Sequence, residues 1–143
     1  MALNGYDIIV ADDDAEDLLF FEMALNKIKI SASIRHAEHG DMLFVLLKEK
    51  IPVLLFLDIH MPCKDGISCI KELRQSKDYD HLPVIIYTSD LYKKTIEECY
   101  RSGANYYLAK PASINVLAEK LITVLSVDWN ETMHYPSLDN FIV

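Results

Sequence analysis

The stretch Val53-Leu54-Leu55-Phe56-Leu57-Asp58 decides the fold class of this chain. A continuous run of five apolar residues has the length of a strand, and such runs are typical of strands buried on both faces of a parallel sheet. A second run of this kind occupies residues 84–88 and follows Pro83, since strands tolerate proline at their start. The sequence therefore predicts a parallel sheet with both faces covered.

Further patterns alternate along the chain on either side of these runs. Strand-like segments are predicted at residues 6–11, 33–37, 53–57, 84–88 and 105–109, and amphipathic helices at 15–29, 40–49, 66–75, 92–101 and 113–125. Asp14 is a plausible N-cap of the first helix, and Gly103 fits a left-handed cap at the end of the fourth. Five β-α pairs at this spacing predict an α/β fold with a central five-stranded parallel sheet and helices on both faces.

The composition narrows the functional classes. The 143 residues fit one domain, and 51% hydrophobic with 25% charged residues is typical of a globular protein. A formal net charge of −8 argues against direct nucleic-acid binding, which requires basic residues that displace counterions. We expect no membrane association and a cytoplasmic location, because no signal peptide or membrane-length apolar run is evident. Three cysteines without a C-x-x-C pair predict reduced thiols.

Polar residues follow four of the predicted strands. They are Asp12 and Asp13, Asp58, Thr88 and Lys110. Because ligands of open α/β sheets bind beyond the carboxyl ends of the strands, we expect these side chains to converge. Three crowded carboxylates repel one another, and Mg²⁺, which prefers oxygen ligands and keeps sites open for phosphate oxygens, would relieve the repulsion.

This set of residue types suits phosphoryl transfer. An aspartate can act as the nucleophile and form an aspartyl phosphate, while a lysine and a hydroxyl neutralise charge on the phosphoryl oxygens. Each residue alone also fits an ordinary role: a turn or helix cap for the aspartates, a β-branched strand residue for Thr88, and a solvated surface lysine for Lys110. Their occurrence together at successive strand ends favours a shared site.

Four segments of the sequence carry a resemblance to a known family. Residues 8–14 (IIVADDD), 57–62 (LDIHMP) with Asp65-Gly66, 86–89 (IYTS) and 103–111 (GANYYLAKP) are similar to the receiver domains of two-component response regulators. The similarity runs from about residue 6 to 127 and implies a flavodoxin-like fold. It divides the chain into a receiver domain at 1–127 and a C-terminal tail at 128–143, for which we expect no output domain.

The resemblance implies specific roles at the strand ends. Asp58 would be the phosphoacceptor, and Asp13 and Asp58 would bind Mg²⁺ directly. Asp12 would act more through water, and the backbone carbonyl of His60 would be the third protein ligand. We expect a chain that phosphorylates itself from a donor and later loses the phosphoryl group, and which is not a turnover enzyme.

The resemblance also implies a switch. Thr88 and Lys110 would contact the phosphoryl group, and Tyr107 occupies the position of an aromatic residue that moves inward as Thr88 moves toward it. The surface from the fourth helix through the fifth strand to the fifth helix, residues 92–125, would change. Pro111 matches a cis-proline position of the family. His60 and Asp90 flank the predicted site, and we hypothesise that they hydrogen-bond and hinder the water that attacks the phosphoryl group.

The resemblance implies partners as well. The donor would be a sensor histidine kinase or a histidine phosphotransfer protein, and the output would be docking on a downstream protein target. Homodimers through the fourth helix, fifth strand and fifth helix are common in the family, which leaves a homodimer open here. The tail, with Trp129, Tyr135, Leu138 and Phe141, fits either a disordered segment or a docked one.

Two other functions fit part of the sequence. A receiver-like module that works without phosphorylation would keep the fold, although the five active-site residues are all present. A magnesium-dependent phosphohydrolase with an aspartyl nucleophile would also use strand-end aspartates. It usually carries an Asp-x-Asp arrangement after the first strand and inserted cap segments; here Asp12-Asp13-Asp14-Ala15 is followed by no Thr or Val at the expected place, and no cap insertion is evident.

Overall fold

The computed structural model describes residues 4–129 and 133–143 and consists of one sheet flanked by helices. The elements are β1 (Asn4–Ala11), α1 (Ala15–Lys27), β2 (Ser31–Ala37), α2 (Gly40–Glu49), β3 (Leu54–Leu57), α3 (Gly66–Gln75), β4 (Val84–Thr88), α4 (Lys93–Ser102), β5 (Tyr106–Ala109) and α5 (Ile114–Leu125). Two short 3₁₀ helices, Lys77–Tyr79 and Leu138–Asn140, were not predicted. The five β-α pairs predicted from the sequence are confirmed.

The sheet is parallel throughout, with strand order β2-β1-β3-β4-β5. The chain moves outward in one direction from β1 to β2 and in the other from β3 to β5. The carboxyl ends of β1 and β3 therefore lie side by side where the direction reverses, which is where open α/β sheets bind ligands. Ala11 pairs with Leu57 at this point, so the residues that follow them are neighbours.

Alternate strand residues face opposite sides and build two cores. One side packs Ile8, Val10, Phe56 and their neighbours against α1 and α5. The other packs Ile9, Leu55, Leu57 and their neighbours against α2, α3 and α4. All four residues of β3 and all five of β4 are buried, which explains why these two strands are apolar on both faces.

Side chains cap the helices next to the carboxyl edge of the sheet. The Asp14 carboxylate accepts a hydrogen bond from the Glu16 N–H, as predicted, and Asp65 does the same for the Ser68 N–H at the start of α3. Gly103 ends α4 with φ of 107°, the left-handed conformation expected there. The two N-terminal caps fix loops at the edge where the site is built, whereas Gly103 lies at the opposite edge, where α4 leads into β5.

The last described segment, residues 133–143, is docked on the sheet. Phe141 is fully buried, and Ile142 forms a parallel bridge with Tyr107 on the edge strand β5. Of the two alternatives left open for the tail, docking is therefore the one observed for these residues; residues 130–132 lie outside the described part. No helix among the described residues is long and apolar enough to cross a membrane.

Candidate functional site at the carboxyl edge of the sheet

Three aspartates meet where β1 and β3 end. Asp12 and Asp13 follow β1 and Asp58 follows β3, and one carboxylate oxygen of each lies within 4.8 Å of the others. Asp12 and Asp58 are buried, at 1% and 6% exposure, whereas Asp13 is exposed to solvent. The three carboxylates therefore lie together as expected from the sequence, and that of Asp13 is open to solution.

Lys110, which follows β5, holds these carboxylates together. Its Nζ lies 2.9 Å from Asp12 Oδ2, 2.9 Å from Asp58 Oδ2 and 2.7 Å from Asp17 Oδ2. Burial disfavours the charged lysine, but the hydrogen bonds from its ammonium to the three carboxylates outweigh burial and raise the pKa of Lys110. Lys110 is therefore a firmly charged group against the predicted nucleophile.

The Asp58 carboxylate is oriented by donors on both of its oxygens. Oδ1 accepts hydrogen bonds from the Ile59 N–H at 2.7 Å and the His60 N–H at 3.4 Å, and Oδ2 accepts one from Lys110. The loop after Asp58 is held by the Gly66 N–H, which donates to the Ile59 carbonyl at 2.8 Å. These contacts fix the carboxylate at the edge of the sheet.

The electrostatics of the aspartates fit a divalent cation. Burial raises the pKa of Asp12, and the nearby Asp58 charge acts in the same direction, while Lys110 and the Asp14 N–H oppose them. The available donors are carboxylate oxygens, the hard ligands that Mg²⁺ prefers. The residues present thus fit the ion that the sequence predicts, and its charge would relieve the same repulsion.

The predicted switch residues lie beside this group. Thr88 is buried, and its Oγ1 accepts a hydrogen bond from the Asp90 N–H at 3.4 Å. Tyr107 is fully buried, and its hydroxyl donates a short hydrogen bond to the Asp90 carbonyl. The ring of Tyr107 therefore occupies the inward position that the family resemblance associates with the phosphorylated state.

His60 and Asp90 form the hydrogen bond that the sequence suggested. His60 Nε2 lies 2.8 Å from Asp90 Oδ2 and bridges the loops after β3 and β4. Burial raises the pKa of Asp90, but the bonds from the Tyr92 N–H and from His60 outweigh burial, and the pKa is lowered overall. The ionised carboxylate holds the imidazole between the loops that follow Asp58 and Thr88.

Replacing His60 with Ala is expected to accelerate loss of the phosphoryl group several-fold, because water gains access to the phosphorus when the bridge is gone. The decay of the phosphorylated form, followed by intact mass, measures this rate. His81→Ala is the matched control, since His81 is exposed and precedes β4 at the opposite edge of the sheet. Equal decay in wild type and His60→Ala would show that the bridge does not restrict water.

Sequence reasoning missed Asp17. It lies in the first turn of α1, where acidic residues are common because they suit the helix dipole. Its Oδ2 makes the shortest contact to the Lys110 ammonium. Its position one turn after the acidic pair, on a helix that starts at the carboxyl edge, was the available signal.

Asp17→Asn is expected to slow phosphorylation roughly threefold to tenfold, because the ammonium loses one of the three anions that orient it. The measurement is the rate of adduct formation from a small phosphodonor. Glu16→Gln, which removes the same charge from an exposed neighbour, is the control. An equal loss of rate in both variants would assign the effect to net charge and contradict an orienting role.

One expectation is wrong in the structure. The resemblance implied a cis bond before Pro111, but no cis peptide bond occurs in residues 4–129 or 133–143. The trans form of an X–Pro bond is the lower in energy. The Lys110 backbone N–H bonds the Thr88 carbonyl at 2.8 Å, and its ammonium reaches the aspartates, with the bond in the trans form.

The fold and site together define a parallel α/β domain with three aspartates and a lysine at the carboxyl edge of its sheet, and comparison with known proteins identifies the family. A family model described as the response regulator receiver domain matches residues 8–122. The chain therefore belongs to the response regulator receiver family. A chemotaxis protein CheY homolog of Campylobacter jejuni is 30% identical over 125 residues, covering 87% of this chain and 95% of the relative. CheY1 of Helicobacter pylori is 26% identical and covers 85% and 98%.

Solved structures agree on the architecture. Response regulator RPA3017, described as acting in red light signalling of R. palustris, superposes with a TM-score of 0.80 at 27% identity, covering 92% of this chain and 99% of that one. The Mn²⁺-bound form of response regulator Rcp1 superposes with a TM-score of 0.75 at 23% identity, over 92% and 99%. The latter likeness shows the fold alone.

Proposed function

We propose that this chain is a phosphorylation-dependent signalling switch that accepts a phosphoryl group on Asp58 from a partner histidine kinase or histidine phosphotransfer protein. Asp12, Asp13, Asp58 and the His60 carbonyl would hold Mg²⁺. The observation that carries the proposal is the Asp58 carboxylate itself, bound by two backbone N–H groups and by Lys110 beside two further aspartates. This arrangement fixes an anionic nucleophile next to hard metal ligands.

The transfer step follows from these contacts. A carboxylate oxygen of Asp58 attacks phosphorus, the P–N bond to the donor imidazole breaks, and the electron pair of that bond leaves with the imidazole nitrogen. The bound cation would supply charge neutralisation at the phosphoryl oxygens. The Lys110 N–H that bonds Asp58 Oδ2 would turn to a phosphoryl oxygen, while Asp12 and Asp17 retain the other two. The Thr88 hydroxyl lies at the end of the adjacent strand and would donate to a further oxygen.

The output of the switch is proposed to be the face formed by α4, β5 and α5. Thr88 ends β4 and Tyr107 lies in β5, so a shift of Thr88 toward the phosphoryl group changes the surroundings of the Tyr107 hydroxyl bond. A downstream protein, or a second copy of the chain, would then read the altered face. The phosphorylated form is the state expected to bind such a target more tightly.

One observation favours a second candidate, an interaction module that works without phosphorylation. Contacts within the chain already hold Tyr107 inward: its hydroxyl bonds the Asp90 carbonyl, and its backbone N–H and carbonyl pair with Phe141 and Val143. If the face were fully preset, a partner would bind both forms equally. The two candidates therefore differ in whether phosphorylation changes the affinity of the chain for a partner.

The direct test is incubation with acetyl phosphate with and without Mg²⁺, followed by intact mass measurement. The proposal predicts one phosphoryl adduct that forms only with the cation. No adduct at any donor concentration, with a fold that remains intact by circular dichroism, would favour the phosphorylation-independent module instead.

Mg²⁺ is expected to stabilise the wild type and not Asp13→Asn. A ligand that binds only the folded state stabilises it by RT ln(1 + [L]/Kd), about 2.7 kcal/mol at a hundredfold excess over Kd. Urea unfolding with and without Mg²⁺ measures the difference. Asp14→Asn is the matched control, because asparagine still caps α1 and the same charge is removed. Equal stabilisation of Asp13→Asn would contradict the ligand assignment.

A further inference from the structure

The C-terminal tail extends the sheet beyond its edge strand. The Tyr107 N–H donates to the Phe141 carbonyl at 2.9 Å, and the Val143 N–H donates to the Tyr107 carbonyl at 2.9 Å. Ile142 lies opposite Tyr107 as a parallel bridge. Both backbone groups of the predicted switch residue are thus paired with the tail.

An aromatic anchor fixes this pairing. Phe141 is fully buried, and its ring packs against Tyr100 of α4 at 5.1 Å and against Tyr107 at 5.9 Å between centroids. Burial of a whole phenylalanine side chain stabilises the contact through the apolar area removed from water, so this docking is not incidental. The anchor lies on the α4 side of the sheet.

A second set of contacts holds the tail upstream of the anchor. Asn105 is fully buried: its Nδ2 donates to the His134 carbonyl at 2.8 Å, and its Oδ1 accepts from the Val84 N–H at 2.8 Å and from Arg74 at 3.1 Å. The Tyr100 hydroxyl donates to the Pro136 carbonyl at 3.0 Å. Leaving the buried Asn105 amide without its hydrogen-bond partner would cost free energy. These contacts therefore favour one position of the tail.

We propose that residues 133–143 of the tail are a positioning element for Tyr107 and favour the inward position of its ring. The hydroxyl bond to Asp90 fixes one end of the side chain, the two backbone bonds to the tail fix the main chain, and Phe141 fills the space beside the ring. This inference rests on the proposed function. Because the inward position is also the one that phosphorylation favours, tail docking and phosphorylation stabilise the same state.

Linkage makes the coupling measurable from both ends. If the docked tail favours the state that binds a phosphoryl group, undocking the tail weakens phosphoryl binding by a certain factor. Phosphoryl binding then strengthens tail docking by the same factor. Beryllofluoride with Mg²⁺ is a suitable probe, because it mimics the phosphoryl group and binds reversibly. The quantities compared are its half-saturating concentration and the hydrogen exchange of the Tyr107 and Val143 amides.

The chain offers its own reporter. Trp129 is the single tryptophan, and its indole N–H donates to the Val124 carbonyl at 3.1 Å while its ring lies 6.0 Å from Tyr106 and 6.2 Å from His134 of the tail. Its fluorescence should therefore respond to tail docking. Titrating beryllofluoride into the full chain gives the half-saturating concentration from this signal.

Phe141→Ala is expected to raise the half-saturating concentration of beryllofluoride about fivefold or more, within the range typical of coupling between sites. Phe141→Leu should restore most of it, because a large apolar side chain again fills the space. Leu138→Ala, which truncates a 44% exposed residue of the same tail, is the matched control and should not change it. In the wild type, beryllofluoride should slow exchange of the Tyr107 and Val143 amides.

The outcomes separate this inference from the proposed function. Equal half-saturation in wild type and Phe141→Ala, with faster exchange of the Val143 amide proving that the tail has undocked, would make the tail a cap of the sheet edge and overturn the inference alone. Tighter binding by Phe141→Ala would also overturn it. A wild type that binds no beryllofluoride would overturn both the inference and the proposed function.

Discussion

Lys110→Met is expected to destabilise the metal-free protein by about 3 kcal/mol, the typical cost of leaving buried charges without their partner. Methionine keeps the apolar stem of the side chain, so the loss reports on the ammonium. Asp12 and Asp58, each 2.9 Å from Lys110 Nζ, then face one another uncompensated. Urea unfolding in the absence of divalent cations measures the effect.

The pH dependence of this loss has a definite sign. Burial raises the pKa of Asp12 above its ordinary value of 3.8, and Lys110 opposes the rise. Without Lys110 the pKa of Asp12 rises further, so the folded state binds more protons than the unfolded state and loses stability as pH rises. The difference between wild type and Lys110→Met should grow as pH rises above the pKa of Asp12 in the folded wild type, itself above 3.8, and level off above the higher pKa in the variant.

Mg²⁺ should recover part of this stability, since the cation takes over the neutralisation of the aspartates. Lys93→Met is the matched control, because Lys93 is exposed at the start of α4 and away from the aspartates. A Lys110→Met protein as stable as the control near pH 7 would contradict the charge balance described for the site.

Gly66→Ala is expected to cost about 2–3 kcal/mol, the usual range for overpacking a well-packed position, and to slow phosphorylation of Asp58. A Cβ on Gly66 would lie 2.3 Å from the Asp58 carbonyl oxygen and 2.8 Å from Ile59 Cα. Both are backbone atoms, so the start of α3 and the loop after Asp58 must separate. The donors on Asp58 Oδ1 come from this same loop.

Thermal unfolding and the rate of adduct formation measure the two effects. Ser68→Ala, which also places an alanine in α3 but at an exposed position where Cβ is already present, is the control. A Gly66→Ala protein with wild-type stability and rate would show that the loop moves freely, and the rigid placement of Asp58 would then be wrong.

The five β-α pairs were predictable because apolar residues recur at the spacing typical of helices in one set of segments and form short continuous runs in the strands. The two strands apolar on both faces, β3 and β4, gave the clearest pattern and have the predicted length within one residue. Val53 shows the limit of this reasoning. It is apolar, but its N–H bonds the Asp7 carbonyl just before the strand begins, and its side chain is 41% exposed.

The position of the site was predictable for a different reason. Topology places every strand end of a parallel sheet at one edge, so Asp12, Asp58 and Lys110 had to converge once the strands were assigned. The hydrogen bond between His60 and Asp90 follows in the same way, from two neighbouring strand ends. The roles assigned to these residues remain predictions that the variants above test.

The contacts that sequence reasoning missed depend on tertiary neighbours without a periodic signal. Asp17 faces Lys110 only because α1 starts at the same edge of the sheet. Arg74 lies near the end of α3, and its guanidinium donates to the Tyr79, Leu82 and Gly103 carbonyls, contacts that no sequence pattern indicates. The docking of Phe141 beside Tyr107 needs a strand partner that no local pattern reveals.

Whether Asp58 is the phosphoacceptor is tested by locating the phosphoryl group in the chain. The protein is phosphorylated with acetyl phosphate and Mg²⁺, the aspartyl phosphate is reduced with borohydride to homoserine, and the modified residue is found by peptide mass spectrometry. If Asp58 is the phosphoacceptor, we expect homoserine at position 58 of the wild type and no homoserine in Asp58→Asn. Modification at Asp12 or Asp13, or the same yield of modified protein from Asp58→Asn, would contradict it.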